Sequence, residues 1–113
     1  MKTIDILGTP YKIFLNCKPE DLPDSSDGAH DPTTKTIKIL DITADTEDRS
    51  QIQDVVEYKK RILRHELIHA FLFESGLHVE TSAEPWAVCE EAIDWLAIQS
   101  PKIFDAFKEL NCL

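Results

Sequence analysis

The sequence predicts an α+β fold: a small antiparallel sheet of three or four strands packed on a long helix, a second helix and a short C-terminal helix. Three observations carry this. Apolar residues tend to alternate between residues 2 and 40, they fall at helical spacing from about residue 51 onward, and the strand-like part wholly precedes the helical part. Strands first and helices after is the order expected when helices gather on one face of an antiparallel sheet.

Ile4, Ile6, Tyr11, Ile13 and Leu15 are the apolar beats of residues 2–16, interrupted by Gly8-Thr9-Pro10, which predicts a β-hairpin. Pro19, Pro23 and Ser25-Ser26 mark an irregular loop. Asp31-Pro32-Thr33-Thr34 then reads as a turn between a short strand and a longer one that takes in Thr36-Ile37-Lys38-Ile39-Leu40. Ser50-x-x-Gln53 is a candidate capping box, with Glu47, Asp48 and Asp54 near the positive end of the helix dipole; periodicity runs on to Ser75, before Gly76. A helix over about 51–75 follows. On a wheel at 100° per residue Lys60, Arg61 and Arg64 share one arc and read, with Lys59, as a solvated face. From Leu67 to Phe73 apolar side chains point nearly every way, so this helix is expected to run from solvent into the core. Thr81-x-x-Glu84 and Pro85 open a second helix to about Gln99. Ser100-Pro101 should stop it and cap a short last helix whose Ile103, Phe104, Phe107 and Leu110 cover the core.

At 113 residues the chain fits one domain, 1–113, with a real hydrophobic core. Its apolar runs are too short to cross a bilayer, and Met1-Lys2-Thr3-Ile4-Asp5 is followed by no apolar signal segment. Cys17, Cys89 and Cys112 are odd in number and widely spaced, which suits free thiols in a reducing, cytoplasmic compartment; a space-filling Cys89 is the commoner case, a ligand the rarer. A formal charge of -9 disfavours nucleic acid as a partner. No membrane partner is expected either.

The most specific stretch is His65-Glu66-Leu67-Ile68-His69. Histidines four apart on a helix stack on one face, where two nitrogens reach a single zinc while the glutamate between them acts on its water. A catalytic zinc commonly takes three protein ligands, so a third is needed. Glu90, Glu91 and Asp94 supply the pool. Glu90 and Asp94 share a helix face with Ala83, Ala87 and Ala97, small residues that permit close approach to the motif helix, and Asp94 can accept the other ring N–H of a ligand histidine. Glu91 is rotated away from Glu90 but stays a candidate.

With these residues in view the chain resembles a zincin metallopeptidase of the gluzincin branch, in which HExxH on one helix is joined by a glutamate from a later one. Glu90-Glu91-Ala92-Ile93-Asp94 resembles the E-x-x-x-D form of that glutamate motif. Small size and strand-then-helix order are similar to the minimal gluzincins and the ImmA/IrrE-type domains of phages, prophages and bacteria. The metzincin pattern fails, because its glycine and third histidine would fall on Leu72 and Ser75. The resemblance covers about residues 28–99. It implies one zinc ion per chain on His65, His69 and Glu90, Glu66 as the base that takes the water proton, and peptide-bond hydrolysis. It also implies that an extended peptide or protein substrate binds along an edge strand, for which Thr36 to Leu40 is the expected one. His30, His78, Tyr11 and Tyr58 are candidates for stabilising the transition state, each read as a packing or surface residue. A competing reading is a catalytically silent zinc-binding interaction or regulatory module with a peptidase-like fold, of phage derivation.

Overall fold

The computed structural model describes residues 1–23, 25–42, 54–77 and 86–113. Four strands, β1 (Lys2–Ile6), β2 (Thr9–Cys17), β3 (Gly28–Asp31) and β4 (Thr36–Leu40), form one sheet in the order β1-β2-β4-β3. Two helices follow, α1 (Val55–Glu74) and α2 (Glu90–Glu109), with a single 3-10 turn, Trp86–Val88, before the second. The architecture is α+β, as the order of patterns predicts.

The first hairpin closes through Leu7 and Gly8, since Ile6 pairs with Thr9. Both have positive φ, 50° and 91°, the backbone of a tight two-residue turn whose twist suits antiparallel strands, and Gly8 adopts it without a Cβ penalty. In the second hairpin the Asp31 carboxylate accepts hydrogen bonds from the Thr33 amide (2.9 Å) and hydroxyl (2.6 Å), holding the turn before β4. These bonds hold the exposed Asp31 carboxyl down at about 2.

The sheet is mixed, and this corrects the all-antiparallel expectation: β1/β2 and β3/β4 are antiparallel, but β2 and β4 run parallel from the Lys12/Thr36 pair onward. After β2 the chain passes over the place that β4 later fills, descends as β3 at the edge, and returns as β4 in between. Thr36–Leu40 is therefore an inner strand. The edge strands are β1 (Lys2–Ile6) and β3 (Gly28–Asp31), and of the two β3 is the one that α1 packs against more closely.

Ile6, Tyr11, Ile13, Ile37, Ile39 and Ala70 are buried together, with Ile4, Ile62, Leu63 and Leu67 packed against them, so α1 lies on one face of the sheet. Asp54 caps α1 by accepting the Glu57 amide at 3.0 Å; the proposed capping box at Ser50 and Gln53 falls outside the described residues. Gly76, at φ 89°, follows the helix end as the sequence suggests. Burial on α1 is one-sided rather than complete. Glu66 and Ala70 are enclosed, but Phe71 is 43% exposed.

The second helix differs from expectation at both ends. Thr81, Glu84, Pro85 and Ala83 lie outside the described residues, and α2 begins at Glu90 with Cys89, an exposed free thiol, at its cap. At the other end it continues through Pro101 to Glu109, with no separate last helix. Proline has no N–H to give the carbonyl four residues back, here that of Ala97. Arg64 of α1 supplies the missing donor: its Nε bonds the Ala97 oxygen at 2.5 Å. Phe104, Phe107 and Leu110, expected to cover the core, are 52%, 39% and 75% exposed.

Candidate metal centre

Two turns of α1 and the first turn of α2 build the site. The i, i+4 spacing stacks His65 and His69, whose Nε2 atoms stand 3.1 Å apart. Because α2 starts at Glu90, that side chain projects from the helix end across the gap, with Oε2 3.0 Å from His65 Nε2 and Oε1 2.9 Å from His69 Nε2. Glu91 sits on another side, beside Trp95 and Leu96. Among the described residues, His65, His69 and Glu90 are the one group of three such side chains able to share a metal ion.

The donor set can be tested on its hydrogen bonds. Asp94, one turn beyond Glu90, accepts the Arg61 guanidinium at 2.6 Å, and this bond and charge hold its carboxyl below the usual range. As a carboxylate it only accepts, so the proton of a neutral His65 ring belongs on Nδ1, 3.3 Å from Asp94 Oδ1. The lone pair on Nε2 then faces the Glu90 carboxylate. Two acceptors at 3.0 Å repel each other unless a cation lies between them. Zinc ligands about 2.0–2.1 Å from a tetrahedral ion stand about 3.3–3.4 Å apart, close to the 3.1 Å between the two imidazole Nε2 atoms, and one Glu90 oxygen lies within 4.8 Å of both. These residues fit zinc in type, number and tautomer.

No family model, curated protein or solved structure matches the chain. The functional reading therefore rests on the chemistry of the site itself.

Glu66 lies on α1 beside the first histidine, only 9% exposed. Burial pushes its carboxyl up to about 7, and the negative charge of Glu90 adds to that shift. Strand β3 crosses close above. A Cβ placed on Gly28 would stand 2.7 Å from Ile62 Cγ2 and 3.1 Å from Glu66 Cγ, so glycine is what lets the edge strand approach the motif helix. A cavity of about 250 Å³ opens there, lined by Asp27, Gly28, Tyr58, His65, Glu66 and Asp94 among others. The Tyr58 hydroxyl donates to Asp27 at 2.5 Å in its wall.

A second polar cluster lies behind His69. The fully buried Tyr11 donates its hydroxyl to Glu74 (3.2 Å) and lies 3.1 Å from His30 Nε2, while Lys35 donates to Glu74 at 2.6 Å. Burial, followed by the charge of Glu74, pushes Tyr11 up to about 12; the Lys35 hydrogen bond holds Glu74 low. The His30 ring is nearly parallel to that of His69, centroids 6.4 Å apart. His30 and Tyr11 thus back His69. Their alternation on the strands put both on the core face, the one signal by which sequence could have grouped them. Tyr58 belongs to the cavity wall, and His78 lies outside the described residues.

The basic run on α1 also departs from expectation. Lys59 bonds Asn16 (2.7 Å), Arg61 holds Asp94 and Arg64 holds the Ala97 carbonyl, so most of this face fastens α1 to its neighbours rather than meeting solvent.

Proposed function

We propose that the chain is a zinc-dependent peptidase that holds one zinc ion through His65, His69 and Glu90 and uses Glu66 as its general base. The observation that carries this reading is the meeting of two imidazole nitrogens and one carboxylate within 3.1 Å of each other, beside a buried glutamate. A zinc ion there supplies Lewis-acid chemistry, acidifying water and polarising a carbonyl. Glu66 accepts a proton on its carboxylate and returns it to the departing amine. Asp94, fixed by Arg61, keeps the His65 ring in its ligating tautomer.

Substrate access follows from the sheet. Strand β3 ends it, so its outer main-chain groups have no strand partner among the described residues and offer hydrogen bonds to an extended peptide. The cavity beside His65 and Glu66 has room for one substrate side chain. No described helix is long and apolar enough to cross a membrane.

Metal analysis combined with a peptide-library digest tests the proposal. Purified protein should hold one zinc per chain, His65→Ala or His69→Ala should lose it, and Glu66→Gln should keep it while cleavage falls by about 10²-fold or more. Absence of bound zinc refutes the metal centre. Zinc without cleavage in the unaltered chain refutes turnover and assigns the fold to a binding role.

A further inference from the structure

Helix α2 has two apolar faces, and the described fold uses one. Ile93 and Ala97 are fully buried on the side toward α1, whereas on a second arc, roughly 120° away on a helical wheel, the described residues are exposed at both ends and half-buried in the middle, at Gln99 and Ile103. Along that arc Ala92, Leu96, Gln99, Ile103, Ala106 and Leu110 follow one another in alternating steps of four and three, the seam by which one helix packs lengthwise on another. Trp95 and Phe107, 57% and 39% exposed, flank it.

The seam also alternates in size. Leu96, Ile103 and Leu110 hold one heptad position, and Ala92, Gln99 and Ala106 hold the other. We propose that this face joins two copies of the chain, their α2 helices packed antiparallel about a two-fold axis near residue 101. In that register every layer pairs a large residue with a smaller one: Leu96 with Ala106 of the second copy, Ile103 with Gln99, Leu110 with Ala92. Each contact occurs twice, as an isologous interface requires. A parallel pair would stack large on large and leave the alanine layers open.

A socket supports the same register. An apolar hollow of about 530 Å³ lies at the start of α2, lined by Cys89, Glu91, Ala92, Trp95 and Leu96. The antiparallel pairing brings Leu110 of the second copy level with Ala92; Leu113 lies past the left-handed turn at Asn111 that ends α2. These two leucines are 75% and 73% exposed in the single chain. The exposed parts of the seam, its flanking aromatics and Leu113 amount to on the order of 500 Å² per copy, so pairing removes about 1,000 Å², the lower end for a specific interface. Two chains of charge -9 repel, so added salt strengthens the pair.

Sedimentation equilibrium on the full chain, from about 1 μM to about 1 mM, tests this. The mass should rise from 12.9 kDa toward twice that value, and Leu110→Glu and Ile103→Lys should each return it to one chain with unchanged helical circular dichroism. A single-chain mass throughout, or a dimer indifferent to both substitutions, overturns the proposal. So does a single-chain mass with pelleting on phosphatidylcholine vesicles, which assigns the face to lipid. Register is read by thiol cross-linking with Cys89 and Cys112 changed to serine. A chain with Gln99→Cys should cross-link only when mixed with one bearing Ile103→Cys; self-linking of the Gln99→Cys chain overturns the antiparallel arrangement.

Discussion

Replacing Arg64 by methionine keeps much of its apolar stem and removes the donor to Ala97. The consequence follows from Pro101. In an uninterrupted helix the N–H of residue 101 would bond the Ala97 carbonyl, but proline has none, and Ala97 is fully buried. Arg64→Met therefore strands a buried acceptor, a cost of about 1–3 kcal/mol. Because the Arg64 side chain is 25% exposed, water can partly replace it, which favours the lower part of that range, about 1–2 kcal/mol. The lost ion pair with Glu57, which is 58% exposed, adds only about 0–1 kcal/mol. Pro101→Ala restores the N–H, so in that background Arg64→Met should cost little more than the ion pair. Urea unfolding of the four proteins in this double-mutant cycle should give a coupling of about 1 kcal/mol. Additivity within about 0.3 kcal/mol would refute the assignment of Arg64 as the substitute donor.

Two further outcomes follow from the same geometry. Asp94→Asn removes the carboxylate that fixes the His65 tautomer and releases Arg61; zinc affinity, read by competition with a chelator, should fall about 10–100-fold without the complete loss expected of His65→Ala. Glu74 is held below its ordinary value of 4.5 by Lys35, with Tyr11 and His30 alongside, so its contribution to stability is complete above that value and disappears as pH falls through the lowered one. Glu74→Gln should therefore lower the melting temperature at neutral pH and flatten the acid limb of the stability profile; parallel profiles for the two proteins would refute the link.

What could be read in advance was local. The stacking of His65 and His69 follows from helix geometry alone, and so does the shared face of Glu90 and Asp94. Between Glu90 and Glu91, both in the first turn of α2, the helix face decides: Glu90 lies with Asp94 against His65, whereas Glu91 is turned toward Trp95 and Leu96. Strand existence and the first hairpin turn were legible from alternation and from Gly8. The parallel pairing of β2 with β4 was not, since alternation fixes which face a side chain takes but carries no information on strand direction.

The reading of Pro101 as a stop fails for a reason that bears on function. A helix tolerates proline when a tertiary donor satisfies the carbonyl left open, and that donor, Arg64, stands far away in sequence on a face whose charges looked solvated. Arg61 and Arg64 are three residues apart on α1 and grip Asp94 and Ala97, three apart on α2. This double clamp sets the two helices at a fixed spacing over the turns that include Glu90 and His65. The sequence places three candidate ligand side chains on two helices; the arginines fasten those helices where the three come together. An interhelical clamp of this kind also accounts for how α2 can carry a second apolar face: its attachment to α1 uses one ion pair, one charge-assisted hydrogen bond to a carbonyl and the buried side chains of Ile93 and Ala97, leaving other apolar residues for a partner helix.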